Sequence, residues 1–268
     1  LYNTHTKTLS KWSKRHRCYK YFRKSPAVFG CQWRNPTIKL NITIIIFFYN
    51  EDGVLFETFE KAFTFLSSYA TTFELILVND GSTDKSSAIA MEIEGSFPFV
   101  SVIHHSKNKG IGMALRTGYQ AAKYDYVCAI PGDGQFNITE LSIVKPFLND
   151  TYYSFYRPNT NYSFYRKLLS WLNRLFNQHI LAIYLRDVNW IKVYTKEQLQ
   201  RVSICLESSL IESEICAKLY KLGIMPIEVP STYLERKAGI AKGGNWKTLS
   251  MAISETFLLW NVVARFRK

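Results

Sequence analysis

Residues 42–48 read Ile-Thr-Ile-Ile-Ile-Phe-Phe, a β-branched apolar run of strand length. A strand that is apolar on both faces belongs in the interior of a parallel sheet covered by helices on each side. The segments after it repeat the theme. An amphipathic stretch at 54–68 carries Leu55, Phe56, Phe59, Ala62, Phe63 and Leu66 at helical spacing, and a strand is expected at 73–78. A helix near 85–94, a strand at 99–103, a helix opening near Gly110 and a strand at 125–130 complete the series. Strands alternating with helices at this spacing form βαβ units and a mostly parallel sheet flanked by helices, an α/β fold. Such sheets hold ligands beyond the carboxyl ends of their strands. Three polar clusters fall at those ends: Tyr49-Asn50-Glu51, Asn79-Asp80-Gly81-Ser82 and Gly132-Asp133-Gly134-Gln135.

Composition narrows the function. With 47% hydrophobic and 21% charged residues in 268, neither a disordered nor a fibrous chain is expected. The net charge of +13 is unevenly spread: residues 1–50 carry 10 Lys/Arg and no Asp or Glu, whereas 51–150 carry 7 basic and 13 acidic residues. A nucleic-acid binder spreads its basic surface over the folded domain. Basic ends around an acidic middle point instead to an anionic membrane surface and phosphorylated substrates, with no nucleic-acid partner. Cys18, Cys31, Cys128, Cys205 and Cys216 contain no CxxC pair, so neither a disulfide framework nor a zinc site is expected. No apolar segment follows the basic start closely enough for a signal peptide, and no run is long enough to span a bilayer.

The second half is less regular. Residues 164–186 place Leu168, Leu169, Trp171, Leu172, Leu175, Phe176 and Ile180 at helical spacing among arginines, consistent with either a core-facing or a membrane-interface helix. A helix at 208–222, a strand at 225–229 and a loop at 231–244 follow. The stretch 245–264 is rich in Trp, Phe, Leu and Val and ends in Arg265, Arg267 and Lys268. Glu255 interrupts it, and it reads as an amphipathic, membrane-lying helix or a truncated juxtamembrane segment, not as a full span.

The chemistry rests on a few positions. Asp80 can accept hydrogen bonds from a base or ribose, or cap the next helix. Asp133 lies in Pro131-Gly132-Asp133-Gly134-Gln135, which suits either a cation bound to a diphosphate or an ordinary turn. Asn108-Lys109-Gly110-Ile111-Gly112 opens a helix like a dinucleotide fingerprint, but Leu115 replaces the third glycine. Those glycines equally suit close helix–sheet packing.

Together these clusters resemble glycosyltransferase family 2, in its dolichyl-phosphate mannose or glucose synthase branch, over residues 42–243. Phe47-Phe48-Tyr49-Asn50-Glu51 is similar to P-x-Y-N-E, and Val78-Asn79-Asp80-Gly81-Ser82-Thr83-Asp84 to V-D-D-G-S-x-D. Asn108, Gly110, Ala114, Arg116 and Gly118 follow the family's N-x-G…A-x-R-x-G, and Asp133 with Gln135 the second half of D-x-D-x-Q. Tyr156-Arg157, Asp187-x-Asn189…Lys192, Glu214 nine residues before Gly223, Glu228-Val229-Pro230 and Arg236-x-x-Gly239-x-x-Lys242 match later family elements in order.

The resemblance implies a GT-A fold with a nucleotide-sugar half at 41–136 and an acceptor half at 137–244, while composition and charge set off a basic arm at 1–40 and a membrane-associated helix at 245–268. It implies that the nucleotide half is Rossmann-like and that Phe47, Tyr49, Asn50, Glu51, Asp80, Gly132, Asp133 and Gln135 hold a UDP- or GDP-sugar. Asp133, with Gln135 beside it, would bind Mg²⁺ or Mn²⁺. Arg157, Lys192, Arg236 and Lys242 would meet the phosphates of donor and acceptor, and Asp187 would orient the acceptor. Asp133, Arg157, Asp187 and Arg236 are the implied catalytic group. The implied reaction is inverting, metal-dependent transfer of a sugar to a polyprenyl (dolichyl-type) phosphate at the cytoplasmic face of a membrane. The alternatives are a polysaccharide or other lipid-linked glycan acceptor, or a non-catalytic binding module of the same fold. Two departures stand out: Phe47 replaces the family's first proline, and Pro131 replaces the first Asp of D-x-D.

Overall fold

The computed structural model describes residues 40–158, 171, 174–235 and 246–267, the last group by backbone alone over 246–254. The arm at 1–39, residues 164–170 and 172–173 of the expected 164–186 helix, and Arg236 and Lys242 lie outside the described residues.

The first half follows the βαβ pattern closely. Strand β1 (Asn41–Phe48) leads through helix α1 (Leu55–Tyr69) to β2 (Thr72–Asn79), α2 (Ser86–Ser96), β3 (Val100–His104), α3 (Ile111–Ala121) and β4 (Tyr126–Pro131). A 3₁₀ turn at Ile138–Ile143 and strand β5 (Thr151–Tyr156) follow. After residues 174–180, which are helical, come β6 (Lys192–Thr195), α4 (Lys196–Val202), α5 (Ile211–Lys221), β7 (Met225–Pro230) and α6 (Trp246–Arg265).

The seven strands form one sheet in the order β3-β2-β1-β4-β6-β5-β7. The β2–β1, β1–β4, β2–β3 and β5–β7 pairs are parallel, while β6 runs antiparallel to both β4 and β5. Two antiparallel steps restore the original direction, so β5 and β7 point the same way as β1, β2 and β4. Their carboxyl ends, and the amino end of β6, therefore share one rim.

The alternation of side chains along β1 feeds two cores. Ile42, Ile44, Ile46 and Phe48 pack with Leu55, Phe59 and Leu66 of α1 on one face. Ile45 packs on the other face with Ala114, Leu115 and Tyr119 of α3 and with Ile211 and Ile215 of α5. Glycines permit the closeness of that second layer. A Cβ on Gly118 would lie 2.4 Å from Ile45 Cγ2, and one on Gly112 would lie 1.9 Å from the Ser208 carbonyl oxygen. The α3 glycines thus serve packing.

One expectation fails locally. The helix expected to reach 186 ends at 180, where Ala182 takes φ 53 and Ile183 N donates to Asn177 O at 2.9 Å. Beyond it Leu181, Ile183 and Leu185 are buried while Ala182, Tyr184 and Arg186 are exposed. That period of two belongs to extended chain, and it overrides the helical spacing before it.

Candidate functional site

β1 lies between β2 and β4, so the strand order reverses there, and open α/β sheets place their ligand crevice at such a switch point. The end of β1 is tied to both neighbours. Asp80 N donates to Phe48 O and Gly132 N to Phe47 O, each at 2.9 Å. Phe47 pairs in register with Pro131, and a Cβ on Gly132 would stand 2.8 Å from Phe48 Cβ. The residue that replaces the family's first proline thus sits beside the residue that replaces its first D-x-D carboxylate.

The first two polar clusters are laced together. Asn50 is held at φ 56, a conformation Asn tolerates better than most residues. Its N–H donates to Ser82 Oγ at 3.0 Å, and its Oδ1 accepts from Thr83 N at 2.8 Å. Glu51 is buried, and its N–H donates to Ser86 Oγ at 2.8 Å. Tyr49 is half-buried beside it. Burial acts to raise the Asp84 carboxyl pKa, but hydrogen bonds from Ser86 and from Asp52 N outweigh it and leave the carboxyl below its usual range.

Asp80 is buried, and its carboxylate serves the loop that starts α3. Oδ1 accepts from Lys109 N (2.9 Å) and faces His105 Nδ1 (2.8 Å), while Oδ2 accepts from Gly110 N (2.8 Å). His105 Nε2 in turn meets Thr117 Oγ1 at 2.9 Å. A carboxylate at this end of α3 also complements the helix dipole. Asp80 therefore caps a helix, but α3 rather than the adjacent α2. Gly81 explains the fit: at φ +70, a Cβ there would lie 2.4 Å from the Lys107 carbonyl carbon. His105 gave no sequence signal beyond its place after β3.

A second group gathers farther along the same rim. Gln135 N donates to Asp133 Oδ1 at 3.0 Å, closing an Asx turn that sets the Asp133 side chain. The Gln135 amide nitrogen donates to Tyr233 Oη at 2.7 Å and faces Leu234 O at 3.4 Å. Leu234 N returns a bond to Gln135 O at 3.0 Å, beside the Phe136–Tyr233 bridge. Tyr233 also lies against Arg157, whose guanidinium carbon is 5.4 Å from its ring centre and 4.4 Å from that of Trp190. Asp187 grips Arg157 in a two-point pair, Nε to Oδ2 at 2.7 Å and Nη2 to Oδ1 at 3.1 Å. Asp133, Gln135, Arg157 and Asp187 are thus brought into one connected cluster, through Tyr233. Trp190, which donates from its indole N–H to Ser231 Oγ at 2.9 Å, and Tyr233 were missed by sequence reasoning. Their aromatic character next to Asp187-x-Asn189 and after Glu228-Val229-Pro230 was the available signal.

Lys192 is placed otherwise than the resemblance implies. It opens β6 with its side chain fully buried, donating to the carbonyls of Val188 and Trp190 and lying 3.7 Å from Glu212. A central strand covered on both faces turns this ammonium into the core, where Glu212 also accepts from Tyr119 and Tyr194 hydroxyls. Glu214 is equally internal. It accepts from Cys205 N, Leu206 N and Lys218 Nζ, and so anchors the 203–206 loop.

Among the described residues, no three or more His, Cys, Asp or Glu side chains are grouped to hold an ion. For a cation the resemblance implies one carboxylate, Asp133, and one amide, Gln135, which the Asx turn holds together. That donor set does not make an all-protein cage, but it fits a hard cation that takes its remaining oxygens from substrate phosphates and water.

Comparison with known proteins bears on family and fold. The family profile for glycosyl transferase family 2 matches residues 43–203. The uncharacterized glycosyltransferase YkcC of Bacillus subtilis is 31% identical over 96 residues, 36% of this chain and only 30% of that protein. Polyprenol monophosphomannose synthase of Mycolicibacterium smegmatis is 24% identical over 208 residues, 71% of this chain and 77% of that protein. The solved mannosyltransferase of Pyrobaculum calidifontis, in complex with GDP-Man and Mn²⁺, superposes with a TM-score of 0.59 at 16% identity, over 95% of this chain and 72% of its own. The fold is GT-A.

Proposed function

Because the chain belongs to glycosyl transferase family 2, we propose that it transfers a sugar from a UDP- or GDP-sugar to a polyprenyl phosphate at a membrane surface, with inversion and the help of Mg²⁺ or Mn²⁺. A phosphate oxygen of the acceptor forms the bond to the anomeric carbon as the bond from that carbon to the donor diphosphate breaks. The electron pair leaves with the nucleoside diphosphate. The divalent ion, when bound, offsets the charge of that diphosphate.

The observation that carries the choice of acceptor is the Arg157–Asp187 pair. A sugar hydroxyl acceptor needs a base to take its proton. Asp187 has Oδ2 engaged by Arg157 Nε and Oδ1 shared between Arg157 Nη2 and Asn189 N, so it is poorly disposed to act as one. A phosphate monoester is already anionic near neutral pH and needs a cation instead. Arg157, oriented by Asp187 and flanked by Trp190 and Tyr233, supplies that cation, while Asp133 and Gln135 serve the donor side. The switch-point residues Phe47, Tyr49, Asn50, Glu51, Asp80 and Gly132 line the nucleotide side. Arg236 and Lys242 are kept as further phosphate ligands.

The membrane reading draws on α6, which exposes Phe257, Leu258 and Trp260 ahead of the exposed Arg265 and Arg267. No helix among the described residues is long and apolar enough to cross a membrane. An amphipathic helix of this kind lies in the interface.

Incubation with radiolabelled UDP-, GDP- and dTDP-sugars, Mn²⁺ and polyprenyl phosphate vesicles tests the proposal. Labelled lipid is expected with one donor, and its loss in Asp133→Ala and Arg157→Ala. Transfer to a glycan, or donor hydrolysis with no labelled lipid, would overturn the acceptor assignment.

A further inference from the structure

Tyr233 belongs to neither the polar clusters at the switch point nor the charged residues implied by resemblance, yet it touches both halves of the site. Its hydroxyl receives the Gln135 amide at 2.7 Å, and its ring lies 5.4 Å from the Arg157 guanidinium carbon. The orientation of that amide follows from chemistry. Leu234 O, 3.4 Å away, is a carbonyl and only accepts, so the Gln135 atom turned toward residues 233–234 is the NH₂ group. The amide oxygen branches away from them. Gln135 N meanwhile fixes Asp133 through the bond to Oδ1. Two residues that would serve a cation are thus set by local bonds, one of which comes from outside their own loop.

We infer that Tyr233 is a positioning residue for the divalent cation: its hydroxyl holds the Gln135 amide so that the carbonyl oxygen, and not the NH₂, is presented beside Asp133. The inference rests on the nucleotide-sugar reading of this rim. Partners of this kind, one shell out from a ligand, set ligand orientation, and losing one weakens metal affinity by about 10–100-fold. With Pro131 in place of a second carboxylate, the amide oxygen carries a larger share of the protein's contribution, which makes its orientation matter more.

Tyr233→Phe separates the two contacts, because the ring beside Arg157 stays and only the hydroxyl goes. Mn²⁺ is titrated into the full chain with saturating UDP and, separately, GDP, and free Mn²⁺ is read by electron paramagnetic resonance. Wild-type protein is expected to bind Mn²⁺ with one nucleotide, and Tyr233→Phe to bind it about 10-fold or more weaker with metal-free nucleotide affinity unchanged. Gln135→Ala is expected to weaken Mn²⁺ similarly, and adding Tyr233→Phe to it to cost nothing further. Equal Mn²⁺ affinity in Tyr233→Phe and wild type would overturn the role of Tyr233 and leave the nucleotide-sugar reading standing, as would a Tyr233→Phe penalty that persists in the Gln135→Ala background. Absence of nucleotide-dependent Mn²⁺ binding in the wild type would overturn both.

Discussion

The Arg157–Asp187 pair joins β5 to the segment before β6, and its worth can be measured apart from turnover. The side chains are 13% and 16% exposed, and the two bonds measure 2.7 and 3.1 Å. Breaking a fully buried ion pair from one side costs about 3–5 kcal/mol, because the surviving charge is left uncompensated. An exposed pair contributes about 0–1 kcal/mol. This pair lies nearer the buried limit, but Arg157 would keep the faces of Trp190 and Tyr233, each worth roughly 0.5–1 kcal/mol. Asp187→Asn is therefore expected to cost about 2 kcal/mol of stability, and Arg157→Met a similar amount. Together they should cost less than the sum by about 1.5 kcal/mol or more, because the double variant buries no lone charge. Urea unfolding of the four proteins at neutral pH supplies the cycle. If the single costs add to within about 0.5 kcal/mol, the pair is not coupled, and the argument that Asp187 is committed to Arg157 fails with it.

Three other outcomes follow from packing, burial and exposure. Gly112→Ala and Gly118→Ala should each lower stability by about 1–3 kcal/mol by urea midpoint, Gly112→Ala the more, because its Cβ would meet backbone at 1.9 Å. Gly95→Ala, where nothing lies within 4 Å, should instead be neutral or slightly stabilising. Burial, aided by the charge of Tyr153, pushes the Tyr69 phenol up to about 12 from 10.0, while its hydroxyl donates to Val144 O. Because the folded form holds this proton more tightly, its stabilising contribution is full below about pH 10 and is lost as pH rises through about 12. Stability measured across that window should fall, and less so in Tyr69→Phe. Phe257→Ser with Trp260→Ser should abolish sedimentation with anionic vesicles while leaving the urea midpoint nearly unchanged, since both side chains are exposed. Retained sedimentation would remove α6 from the membrane reading.

Legibility in the sequence followed the range of the interactions involved. The run 42–48, the helix at 55–69 and the close helix–sheet approach at Gly118 follow from local patterns, whereas Gly112 meets the Ser208 carbonyl, outside the sheet. The helical spacing over 164–186 does not carry to its end, because the alternation at 181–186 belongs to extended chain. Asp80 is legible as a ligand-binding or capping carboxylate, but its partners His105, Lys109 and Gly110 lie 25–30 residues away in sequence. Trp190 and Tyr233 went unnoticed because an aromatic residue becomes meaningful at a site only once a cation is set against it.

By itself, then, the sequence determined a parallel βαβ sheet and three polar clusters at its carboxyl rim, because side-chain periodicity decides which faces are buried and strand direction decides which ends are shared. Only the tertiary structure decided what joins that rim from the second half. Strand β6, inserted antiparallel between β4 and β5, turns β5 and β7 back to the common direction and brings Arg157, Asp187 and Tyr233 beside Asp133 and Gln135. The same insertion buries Lys192, since a charge at the start of a covered central strand must find its partners inside the protein. A lysine in a linear motif looks the same whether it faces a phosphate or a carbonyl, and pairing between strands distant in sequence makes the difference.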